Sequence, residues 1–100
     1  MMWIIDYEWI ARNEEEKEEI IEMCREKYGV QKWEFDCDYF NVDEVTFDTQ
    51  VEEEDTMWII DNTYIARNEE EKTKIINMYK EKDENVMEYI KIVEVHFEKP

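Results

Sequence analysis

Carboxylates are the residues numerous and regular enough in this sequence to do chemistry. Glu15, Glu18, Glu19, Glu22 and Glu26 follow one another at spacings of three and four, which aligns them as a ridge along one face of a helix. Glu34, Asp36 and Asp38 alternate with Trp33, Phe35, Cys37 and Tyr39, the period of a strand, and predict a ladder of negative charge with steps of about 6.7 Å. Glu8, Asp43, Glu44, Asp48 and the run Glu52 to Asp55 add to the supply. Such arrays can present dense negative charge to a partner, or hold surface cations weakly. They do not by themselves make or break bonds.

The parts for other chemistries are missing. The chain has no Ser, two Cys (Cys24 and Cys37), one His (His96) and one Gly (Gly29). Hydrolysis or group transfer needs a nucleophile with a positioned base, and no such combination stands out. His96 has no Cys or second His nearby and reads as a strand residue, not a metal ligand. There is no Gly-rich phosphate loop, no zinc-spaced Cys pair and no calcium loop. The expectation is a protein without catalytic activity, cofactor or metal. A disulfide between Cys24 and Cys37 is disfavoured in a reducing compartment.

The elements that must position these acids come as a duplication. Met2 to Tyr28 recurs 55 positions later as Met57 to Asp83, with 18 of 27 aligned residues identical. Asn13 reads as a helix N-cap with Glu16 three residues on, and Asn68 with Glu71 repeats the device. Glu14, Glu15 and Glu16 sit where the helix dipole favours carboxylates, and both copies keep them, so they have a structural role without any partner. The helix runs to about Tyr28, where Gly29 can take the left-handed conformation that ends it; Asn85 is the candidate in the second copy.

Strands are expected at Met2 to Ala11, Trp33 to Phe40, Val45 to Val51, Trp58 to Ala66 and Met87 to Phe97. Strand, helix, strand in each copy predicts an α+β fold: a tandem βαβ repeat with right-handed crossovers, giving a ferredoxin-like βαββαβ two-layer sandwich in one domain of residues 1–100. The repeats span 2–51 and 56–98, with Glu52 to Asp55 connecting them. An intertwined dimer of the same units is the alternative. Trp3, Trp9, Trp33, Trp58 and Tyr64 read as core, or as a surface for a protein partner or a second copy.

The differences between the copies concern charge. Glu8, Glu18, Glu19 and Glu22 face Thr63, Thr73, Lys74 and Asn77, while Trp3, Ile4, Ile5, Ile10, Ile20, Ile21 and Met23 are kept. Residues 1–55 carry 19 acids against 5 bases, and residues 56–100 carry 10 against 7, so −14 of the net −17 lies in the first half. Like charges at helical spacing repel by a few tenths of a kcal/mol per pair. Repulsion kept in one copy and relieved in the other points to use. The net charge disfavours direct binding of nucleic acid or an anionic membrane and favours a basic partner.

In size and charge the whole chain resembles the phage-encoded nucleic-acid mimics, which include anti-CRISPR and anti-restriction proteins. The resemblance is compositional and rests on no motif. It implies a non-catalytic inhibitor in the cytoplasm of an infected bacterium, bound to the basic nucleic-acid channel of a defence complex, a CRISPR effector above all. The acids expected to meet that partner are Glu8, Glu15, Glu18, Glu19, Glu22, Glu26, Glu34, Asp36, Asp38, Asp43 and Glu44. The competing expectation is a structural or adaptor protein that pairs through an exposed sheet edge or aromatic face. No apolar run reaches the ~20 residues of a membrane span, and Asp6 and Glu8 interrupt the apolar start where a signal peptide would lie.

Overall fold

A computed structural model describes residues 1–35 and 38–97. Two compact units result, Met1–Phe47 and Asp48–Pro100. In the first, β1 (Met2–Ile5), β2 (Trp9–Ala11), α1 (Glu14–Tyr28) and β3 (Val42–Val45) follow in order. In the second, β4 (Thr56–Ile60), β5 (Tyr64–Ala66), α2 (Glu69–Lys82) and β6 (Ile92–His96) do the same, with a 3-10 turn at Val86–Glu88 before the last strand.

The chain is α+β, but its strands do not join in the single ferredoxin-like sheet expected. They form two three-stranded antiparallel sheets, ordered β2-β1-β3 and β5-β4-β6. The reason is a hairpin inside each expected first strand. Asp6 and Tyr7 adopt φ of 55° and 56°, Asp61 and Asn62 adopt 55° and 57°, and Glu8 N–H donates to the Ile5 carbonyl at 3.2 Å. Asp and Asn tolerate this left-handed conformation, and two such residues in succession turn a hairpin. The chain is therefore already reversed when it enters the helix. The return strand then lies antiparallel to β1, and the crossover from β2 through α1 to β3 straddles β1.

Register makes the duplication longer than the first 27 residues suggest. Trp3 pairs with Ala11 and Glu44, and Trp58 pairs with Ala66 and Glu94. Val42-Asp43-Glu44-Val45-Thr46-Phe47 thus corresponds to Ile92-Val93-Glu94-Val95-His96-Phe97, with the offset reduced from 55 to 50. The expected strand at Val45 to Val51 is corrected to Val42–Val45, and the one at Met87 to Phe97 to Ile92–His96. Between helix and last strand lie residues 29–41 in the first unit and 83–91 in the second. In this longer connection none of the described residues of the expected strand Trp33 to Phe40 is in a strand, and Asp36 and Cys37 lie outside the described residues.

Each sheet packs one face on its own helix. Trp3, Ile5, Ala11, Cys24 and Phe40 make the core of the first unit, with Ile20, Ile21, Val30 and Val42 against them. Trp58, Ile60 and Ala66 do so in the second, with Ile75, Ile76, Tyr79, Ile90 and Ile92. Lys17 Nζ stands 5.0 Å from the Trp3 ring centre and Lys72 Nζ 4.8 Å from that of Trp58, so a lysine stem covers each indole. The alternate residues Met2, Ile4 and Ile10 are buried too, which makes β1 apolar on both faces. Trp9 and Tyr64 are partly exposed, and Trp33, expected in the core or on a partner surface, is 80% exposed.

Both helices begin as the sequence dictates. Asn13 Oδ1 accepts from Glu16 N–H at 2.8 Å, and Asn68 Oδ1 from Glu71 N–H at 2.9 Å. Gly29 ends α1 at φ 68°, but α2 ends at Asp83 in an extended conformation, not at Asn85. A tyrosine then ties each helix to its hairpin turn. Tyr28 donates to Asp6 at 2.7 Å and Tyr79 donates to Asp61 at 3.0 Å. The two aspartates are equivalent but the tyrosines are not: Tyr79 corresponds to Cys24, and Tyr28 to Asp83. One helical turn apart, they deliver a hydroxyl to the same place.

Truncating Ile5, fully buried in the first core, to Ala should cost about 2–5 kcal/mol in urea unfolding. Burial, reinforced by the bond to Asp61, pushes the Tyr79 hydroxyl up to about 12. A group whose folded pKa is raised stabilises fully below its unfolded value, near ~10 for tyrosine, and loses that contribution as pH climbs through the folded one. Between those two values wild-type stability should therefore fall more steeply than that of Tyr79→Phe. Equal slopes for the two proteins would contradict this account of Tyr79.

Candidate protein-binding surface

The helix ridge exists as the spacing predicts. Glu15, Glu18, Glu19, Glu22 and Glu26 all lie in α1 and are all exposed. Glu22 accepts from the Arg25 guanidinium at 2.9 Å. Glu8, in the hairpin turn, has Lys27 Nζ at 3.8 Å, and the same ammonium stands 3.9 Å from Asp6. On α2 the equivalent face carries Lys74 paired with Glu70 at 3.4 Å.

The neighbouring acids of the first turns do structural work. Glu16 accepts from the Arg12 backbone N–H and from Nε, each at 2.9 Å, and its other oxygen pairs with Nη2. Glu71 repeats this with Arg67, at 2.8 Å from the backbone N–H, 2.9 Å from Nε and 2.6 Å from Nη2. The guanidinium in each case holds the glutamate below the usual carboxylate range. Arg67 is buried because residues 49–54 lie across it: its Nη1 donates to the Thr49 carbonyl at 2.9 Å, and Glu54 N–H donates to the Arg67 carbonyl at 3.1 Å. Glu54 Oε1 in turn accepts from Glu69 N–H at 3.0 Å, at the positive end of α2. Part of the Glu52 to Asp55 run thus serves as a strap and cap within the second unit.

The strand ladder does not form. Glu34 and Asp38 lie in the loop, Asp36 is outside the described residues, and Glu34 is half-buried. Glu34 instead organises the loop, accepting from Gln31 N–H and from the Tyr39 hydroxyl, each at 2.8 Å. Asp43 and Glu44 are exposed on β3 but, as consecutive strand residues, point to opposite faces. β3 is an edge strand, where charge blocks pairing with further chains. The structure aligns the five helix acids on α1 and joins Glu8 to that helix through Lys27.

Of the two readings of Trp33, core or partner surface, its 80% exposure leaves the second, and Phe35, which sequence reasoning did not single out, is 75% exposed beside it in the chain. Aligning Asp38-Tyr39-Phe40-Asn41 with Glu88-Tyr89-Ile90-Lys91, just before the matching last strands, would have marked the preceding residues as a loop. One further polar constellation appears: Thr56 Oγ1 lies 3.1 Å from His96 Nδ1, and His96 Nε2 lies 3.1 Å from Glu94. Its order is that of a hydroxyl, base and carboxylate relay. The His96 and Glu94 side chains are 70% and 54% exposed, so water competes for every bond and nothing concentrates charge on the hydroxyl.

Among the described residues no group of His, Cys, Asp or Glu is arranged to hold a metal ion, and no helix is long and apolar enough to cross a membrane. Cys24 carries a free thiol, and burial pushes its pKa up, away from reactivity. No protein-family model, curated protein or solved structure matches the chain.

The buried pairing of Glu71 with Arg67 gives a pH test. A carboxylate held low in the folded state stabilises fully above its unfolded pKa, near ~4.3, and loses that contribution as pH falls through the folded value. Glu71→Gln should lower stability by about 1–3 kcal/mol at neutral pH and flatten the loss on acidification. Urea titrations at neutral and acid pH, compared with Glu16→Gln at the more exposed pair, measure both effects.

Proposed function

We propose that this chain is a non-catalytic inhibitor that occupies the basic nucleic-acid-binding site of a host defence complex, a CRISPR effector in the first instance, by mimicking nucleic-acid charge. The observation that carries this reading is the exposed glutamate side of α1. At ~1.5 Å rise per residue, five carboxylates from Glu15 to Glu26 fall at a mean interval of about 4 Å along the axis. A single strand of duplex DNA presents a phosphate every ~3.4 Å. A groove lined by lysine and arginine to track such a strand would meet charge of similar pitch on a rigid helix.

The comparison between the two units supports use over solubility. Both helices have the same asparagine N-cap and bury the same pair of isoleucines, Ile20 and Ile21 or Ile75 and Ile76, yet Glu18, Glu19 and Glu22 face Thr73, Lys74 and Asn77. A helix in this fold evidently tolerates neutral and basic residues there. The cytoplasm of an infected bacterium would be the place of action. A second reading, an adaptor that docks or dimerises through an aromatic face, draws on the exposure of Trp33 and Phe35.

Salt separates the two. Capture from a lysate containing defence complexes, eluted with a salt gradient, should recover a basic nucleic-acid-binding complex whose affinity falls steeply as salt rises. Glu18→Lys with Glu22→Lys should weaken capture at least tenfold, and changes at Thr73 and Asn77 should not. Normal capture by the charge-reversed pair would rule out the α1 surface, and a salt-insensitive dimer without a basic partner would favour the adaptor.

A further inference from the structure

The loop between α1 and β3 holds the largest apolar side chains left in solvent, and it is built to hold them there. Trp33 and Phe35 are 80% and 75% exposed, while Trp3 and Trp58 are 6% exposed in their cores. Glu34, between the two rings, closes the loop with its bonds from Gln31 N–H and the Tyr39 hydroxyl, and a third bond joins Glu34 N–H to the Gln31 carbonyl at 3.0 Å. Those donors hold the Glu34 carboxyl below the usual range and therefore charged at neutral pH. A depression of about 420 Å³, lined by Glu22, Glu26, Val30, Gln31 and Lys32 among others, runs from the acidic ridge to the foot of this loop.

Two exposed rings in a field of carboxylates select for a particular guest. A nucleobase could stack on them, but its phosphates would be repelled by a net charge of −17. A purely apolar partner would desolvate Glu34 and Asp38 without compensation. A guanidinium has planar, weakly hydrated faces for the rings and donors for the carboxylates, whereas an ammonium is more strongly hydrated and stacks less well. A second copy of the chain is a poor source, because Arg12 and Arg67 are each paired with a glutamate in the first turn of the helix that follows them, and Arg25 with Glu22 in α1.

We propose that Trp33 and Phe35 form an arginine-docking site, anchoring a guanidinium from the partner whose basic groove lies along α1. This rests on the charge-mimic reading and adds a residue preference that charge alone does not give. Capping the planar ion with aromatic faces makes arginine, not merely positive charge, the ligand.

Decaarginine and decalysine peptides carry the same charge and serve as the probes, titrated calorimetrically into the full chain at about 0.15 M salt. Wild type should bind decaarginine about fivefold tighter than decalysine. Trp33→Ala with Phe35→Ala should abolish that preference and leave decalysine binding unchanged; circular dichroism checks that the fold is kept. Glu18→Lys with Glu22→Lys should weaken both peptides alike and preserve the preference. Retention of the preference in the aromatic double variant, or its absence in wild type, overturns the arginine site alone. Failure of wild type to bind either peptide overturns the charge-mimic reading and the arginine site with it.

Discussion

Everything in each unit is arranged around a short strand that has water on neither face. Met2–Ile5 and its counterpart within Thr56–Ile60 are the central strands of their sheets, with every residue from Met to the second Ile buried. So small a strand can stay buried only if both of its edges are paired and its faces covered. The hairpin supplies the first edge and the strand after the helix supplies the second. The helix covers one face with Ile20, Ile21 and Cys24 in one unit, and with Ile75, Ile76 and Tyr79 in the other. The Arg–Glu clamps and asparagine caps fix where each helix starts, and so where its apolar stripe falls on the sheet.

Because the fold is set from this apolar centre, the outer side of the helix is released from structural duty. The second unit shows what that side looks like without an added demand: Thr73, Lys74 and Asn77. The first unit's uniform run of glutamates stands out against it. The distinction applies residue by residue, since Glu16 and Glu71 are bound into the clamps and Glu54 into the α2 cap, while Glu15, Glu18 and Glu19 are exposed on α1. Acidity in this protein is therefore of two kinds, one spent inside the fold and one turned outward.

The sequence made the helices legible because their signals are local: an asparagine, a glutamate three residues on, an apolar stripe, a glycine at φ 68°. The hairpins were hidden because apolar residues flank them on both sides, and a run such as Met2 to Ala11 looks continuous unless Asp61-Asn62 is given weight as a turn. The ridge followed from helical spacing and was correctly placed. The ladder at Glu34 to Asp38 failed because perfect alternation is a necessary sign of a half-buried strand and not a sufficient one. Glu34 and Asp38, at the two ends of that run, lie in the longer connection and on no strand. The same pattern left Trp33 open to two readings, core or partner surface, because an indole suits either; its 80% exposure rules out the core.

The tyrosine that ties helix to turn has a genetic consequence. Cys24 and Tyr28 in one helix stand where Tyr79 and Asp83 stand in the other, so each copy has its single hydroxyl, placed one turn apart. Two thirds of the aligned residues are identical, so a segment of one copy can be set into the other with few changes. An exchange falling within that single turn would produce one helix with two tyrosines competing for an aspartate and another with none. Crossovers elsewhere in the duplicated segment would leave the tie intact. The two copies thus reach the same tie by different residues, and a segment exchanged between them keeps it only if Cys24 and Tyr28, or Tyr79 and Asp83, travel together.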